Sequence, residues 1–301
     1  VKPGAISNDS VTTDVTEYQY IFTLDDVKAT GSAGYAFYTS GSRKAGTSFT
    51  AVSGTYEEVL DMGYDKYTTV FHGGHDGLDI RQKDPFGDNS IGSAEKTSYE
   101  FYSLKRAVDT LANPETVEYN LASMPGIRDS TLTEHLIKTC EDRGDAMAII
   151  DIANDYTPAS ETTDAESSRV GTVNSAISTL KSRGLNTSYG AVFYPWVLIR
   201  DTVSGGTLWA PPSVAAIGTM ASSENRSELW FAPAGFTRGG LTEGAAGLPV
   251  IGVRQHLTAK ERDKLYAANI NPIASFPSEG IVIFGQKTLQ VTESALDRIN
   301  V

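Results

Sequence analysis

The feature that most constrains this chain is a regular alternation of apolar segments with helical segments, which starts at about residue 97. The segments AMAIIDI, residues 146–152, and YGAVFYPWVLI, residues 189–199, are continuous apolar runs typical of strands buried on both faces. Parallel strands need crossover connections, so this alternation predicts parallel pairing with helices on both faces. We therefore expect a three-layer α/β domain with a mostly parallel sheet over residues 71–301.

Three helices are predicted from periodicity and end signals. Leu104, Ala107, Val108 and Leu111 follow the spacing of one helical face, and Pro114 ends that run. A second helix is expected over VGTVNSAISTLKSRG, with Val173, Ala176, Ile177 and Leu180 on one face and Gly184 as its stop. The third, SVAAIGTMASS, is introduced by Pro211 and Pro212.

Capping signals predict two more helices. Thr131 followed by Glu134 has the spacing of a capping box, and Gly144 suits a helix C-terminus. Thr258 followed by Glu261 has the same spacing. The segments TVEYNLASM, LPVIGVRQHL and EGIVIFGQKTLQV are predicted strands, and the polar stretch DYTPASETTDAESSR is predicted to be an exposed loop.

The first 70 residues have a different character. They are rich in Thr, Ser, Tyr and Gly, with β-type runs at EYQYIFTLD, GYAFYTS, TSFTAVS and KYTTVFHGG, and one short helix is possible at TYEEVLDMG. We expect residues 1–70 to form a smaller β-rich region that precedes the α/β domain.

Composition excludes several partner classes. A net charge of −12, from 37 acidic and 25 basic residues, argues against a nucleic-acid partner, whose phosphates need Lys and Arg. No apolar run approaches the roughly 18 residues that a membrane span needs. The single cysteine, Cys140, excludes a disulfide framework and is expected to be a small buried hydrophobe in a reducing compartment.

The segment FHGGHDGLDI, residues 71–80, is the first candidate site. His72, His75, Asp76 and Asp79 are metal-ligating residue types. However, a metal-binding histidine pair is normally held on a rigid helix face, whereas Gly73 and Gly74 would leave these ligands mobile. Glycine pairs and Asp-Gly favour a turn, so we predict a turn with neither metal nor cofactor.

A catalytic role is also considered for two strand-ending aspartates. Asp151 and Asp155 follow an apolar strand, where α/β proteins often place ligands, but an aspartate that caps the next turn is the simpler interpretation. The chain has no Gly-x-Ser-x-Gly elbow, and neither His135 nor His256 is flanked by a motif of a catalytic base. We expect no catalytic residues and no enzyme activity.

Several separated motifs resemble those of the tail sheath proteins of contractile-tailed bacteriophages. They are GGHDG, AIIDI, YGAVFYPWVLIRD with WAPPSVAAIG, LWFAPAGFTRGG, and the series KLYAANINPIASFPSEGIVIFGQKTL with DRINV. Together they extend over about 230 residues in the family's order. The residues that carry the resemblance are Gly73, Gly74, Asp76, Gly77, Asp151, Tyr194, Pro195, Trp196, Pro211, Pro212, Pro233, Gly235, Arg238, Asn271, Pro272, Gly285 and Thr288.

The resemblance implies a subtilisin-like core domain without subtilisin chemistry, because GTMAS lacks the serine of the nucleophile motif. It also implies a subunit that polymerises helically around a tail tube and contracts to drive the tube through the host envelope. The expected partners are other sheath subunits, the tube protein, and the baseplate and tail terminator proteins. The expected location is the virion tail, after assembly in the host cytoplasm.

The resemblance further implies that the chain is a fragment that lacks both family arms, with residues 1–70 as the remnant of a preceding β-rich domain. We expect this fragment to be monomeric alone. Two alternatives remain open from the sequence. One is the sheath of a related injection machine, such as a bacteriocin or a secretion system. The other is a hydrolase of subtilisin-like fold with a site near Asp151 or His72.

Overall fold

The structure is a computed structural model that describes residues 27–29, 36–38, 84–91, 98–228, 230–242, 247, 249–292 and 299. The chain divides into two compact units, residues 1–77 and 78–301. In the first unit, β1 (Val27–Ala29) pairs antiparallel with β2 (Ala36–Tyr38), and β2 lies within a predicted strand. The other predicted elements of this region lie outside the described residues. The sequence-based limits 1–70 and 71–301 therefore stay a prediction.

The second unit contains a five-stranded sheet with the order β10-β9-β5-β4-β3. Pairing is parallel from β3 to β9, and only β10 runs antiparallel to its neighbour, so the predicted mostly parallel sheet is confirmed. Its strands are β3 (Leu121–Ser123), β4 (Met147–Ile150), β5 (Gly190–Tyr194), β9 (Asn271–Phe276) and β10 (Gly280–Ile283).

A second sheet, which the sequence analysis missed, contains three antiparallel strands in the order β7-β6-β8. They are β6 (Val197–Arg200), β7 (Thr207–Ala210) and β8 (Val250–Val253). The single strand predicted over residues 189–199 is therefore wrong. It breaks at Pro195, which has no N–H for a ladder hydrogen bond, and its two halves enter different sheets.

The helices of the second unit alternate with the strands of the larger sheet as predicted. They are α1 (Asp88–Ile91), α2 (Tyr99–Thr110), α3 (Ser130–Arg143), α4 (Val173–Ser182), α5 (Pro212–Arg226), α6 (Gly235–Arg238) and α7 (Ala259–Ala267), with a 3₁₀ turn at Glu166–Arg169. On α2, Val108 is buried as expected, but Ala107 is exposed and Phe101 supplies the other buried contact.

Two apolar clusters cover the two faces of the large sheet, which gives a three-layer arrangement. On one face, Ile150 and Val192 pack with α3, α4 and α7. On the other face, Ile149 and Phe193 pack with α5 and with strands of the small sheet. The layer that covers this second face is therefore partly a sheet, whereas the sequence predicted helices alone on both faces.

Cap geometry confirms one predicted capping box and corrects the other. Thr258 and Glu261 form the reciprocal box at the start of α7, as predicted. At α3 the predicted box is wrong, because the N-cap is Asp129, whose carboxylate accepts from the backbone N–H of Leu132 at 2.8 Å. A carboxylate caps as well as a hydroxyl and also complements the helix dipole. Gly144 ends α3 with φ 75°, as predicted.

Two further expectations need correction. The segment 155–169 is not an exposed loop throughout, because Asp155, Tyr156 and Glu161 are buried within it. Strand β9 was not among the predicted strands, and it contains Pro272, a residue type that is rare in strand interiors. Pro272 is nevertheless buried in β9, where it is paired with Tyr194 of β5. Cys140 is fully buried, as predicted.

Candidate functional site

Several residues of the motifs that carry the resemblance lie in buried polar clusters that connect distant chain segments, and we call these clusters junctions. The first junction is built on Asp151, directly after β4. Asp151 is 1% exposed, and its Oδ2 accepts from the backbone N–H of Gly126 at 2.9 Å and from the hydroxyl of Ser213 at 2.7 Å. Its Oδ1 accepts from the backbone N–H of Ser213 at 3.2 Å. Ser213 lies in the first turn of α5, which Pro212 opens, so the carboxylate faces the positive end of the helix dipole.

Burial governs the titration of this junction. It raises the pKa of Asp151 to about 6, against the opposing hydrogen bonds from Gly126 and Ser213. Burial also raises the pKa of Asp155 well above its ordinary value, and the neighbouring charge of Asp151 adds to the effect. Raised carboxyl pKa values occur in catalytic sites, but they also follow from burial alone.

The geometry around Asp151 fits a capping role better than catalysis. The hydroxyl of Ser213 donates to Asp151, but Ser213 is fully buried and Asp151 is 1% exposed, so neither group is open to a substrate. His135 instead pairs with Asp109 at 2.6 Å on the surface, and His256 is exposed after β8. The GTMAS segment lies inside α5, where the hydroxyl of Thr219 donates to the carbonyl of Ala215 at 2.8 Å.

A buried arginine, Arg128, forms a second junction that the sequence analysis missed. Its side chain is 7% exposed, and its Nε binds Asp88 at 2.5 Å while its Nη2 pairs with Glu161. Its Nη1 also donates to the carbonyl of Tyr156 at 2.9 Å. This one guanidinium therefore connects α1, the start of α3 and the 155–169 segment. No local pattern could reveal it, because its carboxylate partners lie 40 and 33 residues away.

A third junction is built on Asn271, the first residue of β9, which is fully buried. Its Nδ2 donates to the carbonyl of Val192 at 3.1 Å and to that of Lys287 at 2.8 Å, and its Oδ1 accepts from the backbone N–H of Lys287 at 2.7 Å. Gly285 lies against the same side chain, since a Cβ there would stand 2.7 Å from Asn271 Oδ1. The Asn-Pro and Phe-Gly-x-Lys-Thr-Leu motifs are therefore one packed unit.

The last motif adds to this junction. Ile299 is buried, and its N–H donates to the carbonyl of Gln286 at 2.8 Å. Thr288 is also buried, and the ammonium of Lys287 lies 4.3 Å from the ring centroid of Tyr266. The segment after β10 is thus held by β9, α7 and the end of the chain.

The Tyr-Pro-Trp motif connects the two sheets to the 155–169 segment. Tyr194 is buried, and its hydroxyl donates to Gln255 Oε1 at 2.5 Å. Trp196 packs edge-on against Tyr156 with 5.2 Å between ring centroids. Arg254 lies 4.9 Å from the ring centroids of both Tyr156 and Trp209. A cation over an aromatic face is attracted by the ring quadrupole, so these contacts fix the segment to the small sheet.

The Ala-Pro-Ala-Gly and Arg-Gly motif forms α6 and its flanks. Pro233 is buried, and Gly235 has φ 81°, a conformation that favours glycine. Arg238 Nε donates to the carbonyl of Ala232 at 2.9 Å, and its guanidinium lies 4.5 Å from the ring centroid of Phe231.

The first candidate site cannot be placed in this way. Gly73, Gly74, Asp76 and Gly77, together with His72, His75 and Asp79, lie outside the described residues. In the part of the chain that the structure describes, no three His, Cys, Asp or Glu side chains are grouped to hold a metal ion. Within that same part, no helix is long and apolar enough to cross a bilayer.

The fold and the three junctions define an α/β domain whose buried polar groups hold its own chain segments together. Sequence comparison finds similarity between this chain and phage tail sheath proteins. The chain is 34% identical to the tail sheath protein of Vibrio phage KVP40 over 117 residues, which are 39% of this chain and 16% of that protein. It is 27% identical to the tail sheath protein of Enterobacteria phage T4, over 66% of this chain and 30% of that protein.

The expected resemblance to phage tail sheath proteins is therefore confirmed. The matched regions span less than a third of these relatives' own length. No protein-family model matches the chain. Among solved structures, the anti-feeding prophage baseplate is similar with 19% identity and a TM-score of 0.43, covering 65% of this chain and 44% of that one. The contracted sheath complex of an extracellular contractile injection system is similar with 20% identity and a TM-score of 0.42, covering 62% and 45%.

Proposed function

We propose that this chain is part of a structural subunit of a contractile phage tail sheath. The observation that carries the proposal is its sequence similarity to tail sheath proteins of three phages, which extends over as much as 66% of the chain. On this proposal, identical subunits stack helically around a tail tube and then rearrange into a shorter, wider lattice that drives the tube through the host envelope.

The packing of the second unit supports this mechanical role. Contraction by rearranged subunits requires domains that move as nearly rigid bodies. The junctions at Asp151, Arg128 and Asn271 each connect segments far apart in sequence through buried, charge-assisted or bidentate hydrogen bonds. Local opening of such a domain would leave buried donors and acceptors unpaired, which is costly.

The remaining elements of the proposal follow from the family. The partners are other sheath subunits, the tube protein, the baseplate and the tail terminator, and the site of action is the virion tail after assembly in the host cytoplasm. The α/β core is of the subtilisin-like type but performs no catalysis, binds no cofactor, and contacts neither nucleic acid nor membrane. The motif residues act by holding the core together.

Immunogold electron microscopy tests the proposal. Antibodies raised against this chain should label particles purified from the cells that produce it. We expect gold along the full length of the tails, with the labelled segment becoming shorter after contraction is triggered. Label on capsids or tail fibres, or on no particle, would contradict the proposal.

The hydrolase alternative has its own test. We expect no activity on a broad panel of peptides and esters, because Ser213 and its carboxylate partner Asp151 are both buried away from a substrate. Robust hydrolysis that Asp151→Ala abolishes, with the variant still folded, would replace the structural proposal.

A further inference from the structure

One surface of the second unit carries an unusual concentration of exposed aromatic rings. Phe236, Phe276 and Phe284 pack together, with ring centroids 5.0 to 5.6 Å apart. Phe236 is 51% exposed and Phe284 is 41% exposed. Phe231, beside α6, is 42% exposed. Scattered surface hydrophobics need no explanation, but packed exposed rings mark interaction sites.

Two arginines lie against these rings. The guanidinium of Arg262, on α7, is 5.0 Å from the ring centroid of Phe276, and that of Arg238 is 4.5 Å from Phe231. We call Phe231, Phe236, Phe276, Phe284, Arg238 and Arg262 the aromatic patch. Aromatic residues and arginine are enriched at the centres of protein interfaces.

We propose that the aromatic patch binds a second copy of this chain through an acidic face of that copy, as a heterologous contact. This inference rests on the proposed sheath function and assigns a surface to it. Charge identifies the occupant: the patch presents guanidinium groups, while the chain as a whole carries a net charge of −12. A second copy exposes carboxylates, such as those of Glu141 and Asp142 on α3, that are complementary to the patch.

The same charges disfavour a two-fold contact of the patch with itself. In an isologous interface the Arg238 and Arg262 of both copies would meet, and juxtaposed like charges are unfavourable. In a heterologous contact they meet carboxylates of a different face. A heterologous contact that does not close generates a helix, which is the symmetry that a sheath requires.

This contact should be weak between two isolated copies. One patch of a few rings is smaller than the standard interface of a stable complex, so the chain should be mainly monomeric at moderate concentration. In a lattice, each copy is held by several contacts at once, and the effective concentration at each contact is high. A weak patch contact would then still contribute to assembly.

Site-specific photocrosslinking tests the inference without requiring a stable dimer. Phe236 is replaced by p-benzoylphenylalanine in the purified chain, at concentrations up to about 1 mM, where contacts of about −4 kcal/mol are populated. The matched control carries the same photoreactive group in place of Leu208, which is 45% exposed and lies on the small sheet. Mixing ¹⁵N-labelled and unlabelled chains identifies crosslinks between copies by mass spectrometry.

We expect at least about threefold more intermolecular crosslinking from position 236 than from position 208, with the crosslinked peptides rich in Asp and Glu. Arg262→Glu in the position 236 chain should reduce the yield by a similar factor, and so should added salt. Equal yields from the two positions would overturn the inference, as would crosslinks that join the patch to itself. Either result would leave the immunogold test of the sheath proposal unaffected, so the two failures can be told apart.

Discussion

The sharpest prediction concerns Asn271, because its amide is both donor and acceptor, a pattern that neither alanine nor an ionised aspartate reproduces. Asn271→Ala removes two bonds to carbonyl oxygens and one bond from the Lys287 N–H, all at a fully buried position. Asn271→Asp keeps the shape of the side chain, but it places a carboxylate against the carbonyls of Val192 and Lys287, where the Nδ2 donor was.

The size of each effect follows from these contacts. A buried hydrogen bond contributes about 1 kcal/mol net, and a buried donor left unpaired costs about 1–3 kcal/mol, so Asn271→Ala should cost about 3–5 kcal/mol. Asn271→Asp should cost more at pH 7, because an unpaired buried charge is costlier than an unpaired dipole. Since domains are stable by only about 5–15 kcal/mol, either loss is a large fraction of the total.

The pH dependence distinguishes the two variants. The introduced carboxylate faces carbonyl oxygens, so folding favours its protonated form and the folded state binds that proton more tightly than the unfolded state. Stability then falls as pH rises. The deficit of Asn271→Asp relative to Asn271→Ala should therefore shrink or reverse towards pH 4.

Urea unfolding followed by tryptophan fluorescence measures these differences. All three tryptophans, Trp196, Trp209 and Trp230, lie in the second unit, so the signal reports on that unit alone. The matched control is Asn186→Asp at an exposed position, where Oδ1 accepts from the Val291 N–H at 2.9 Å and aspartate can still accept. It should change stability by no more than about 0.5 kcal/mol. If Asn271→Asp is as stable as Asn186→Asp at pH 7, the proposed role of the Asn271 junction is wrong.

Three other predictions concern Asp151, Gly171 and the N-cap of α7. The pKa of Asp151 is raised to about 6 from 3.8, so its folded state holds the proton more tightly. The contribution of Asp151 to the free energy of unfolding should therefore fall by roughly 3 kcal/mol as pH rises from about 4 to above 6. Asp151→Asn should flatten the measured curve of unfolding free energy over that window. Gly171→Ala should prevent normal folding, because its Cβ would lie 1.7 Å from the Asn154 carbonyl oxygen, whereas Gly240→Ala, with nothing within 4 Å, should retain its melting temperature. Thr258→Ala should cost about 1 kcal/mol in urea unfolding by removing the cap of α7, and an unchanged midpoint would contradict that role.

Local signals in the sequence predicted the elements of the second unit well. The apolar run that contains Ile149 and Ile150 became a buried strand, and Gly144, Pro212 and Thr258 marked helix ends as expected. These signals succeed because their physical causes act within one turn of chain: a φ preference, a missing N–H or a side chain that caps a neighbouring N–H.

Competition between neighbouring signals explains a local failure. Thr131 and Glu134 have the spacing of a capping box, but Asp129 caps the same helix two residues earlier. Glu134 instead lies 3.2 Å from Arg183 Nε, which is 49 residues away. A spacing rule cannot rank two adequate caps when a distant partner engages one of them.

The sequence by itself thus determined the alternation of strands and helices, several helix ends, and the relationship to tail sheath proteins. The tertiary structure alone decided that the chain crosses from one sheet to the other at Pro195, that Arg128 joins Asp88 to Glu161, and that Asn271 holds Lys287. It also brought the rings of the aromatic patch together from α6, β9 and the residue after β10. The physical reason is that these contacts join residues far apart along the chain, whose meeting depends on strand order and register and leaves no local pattern.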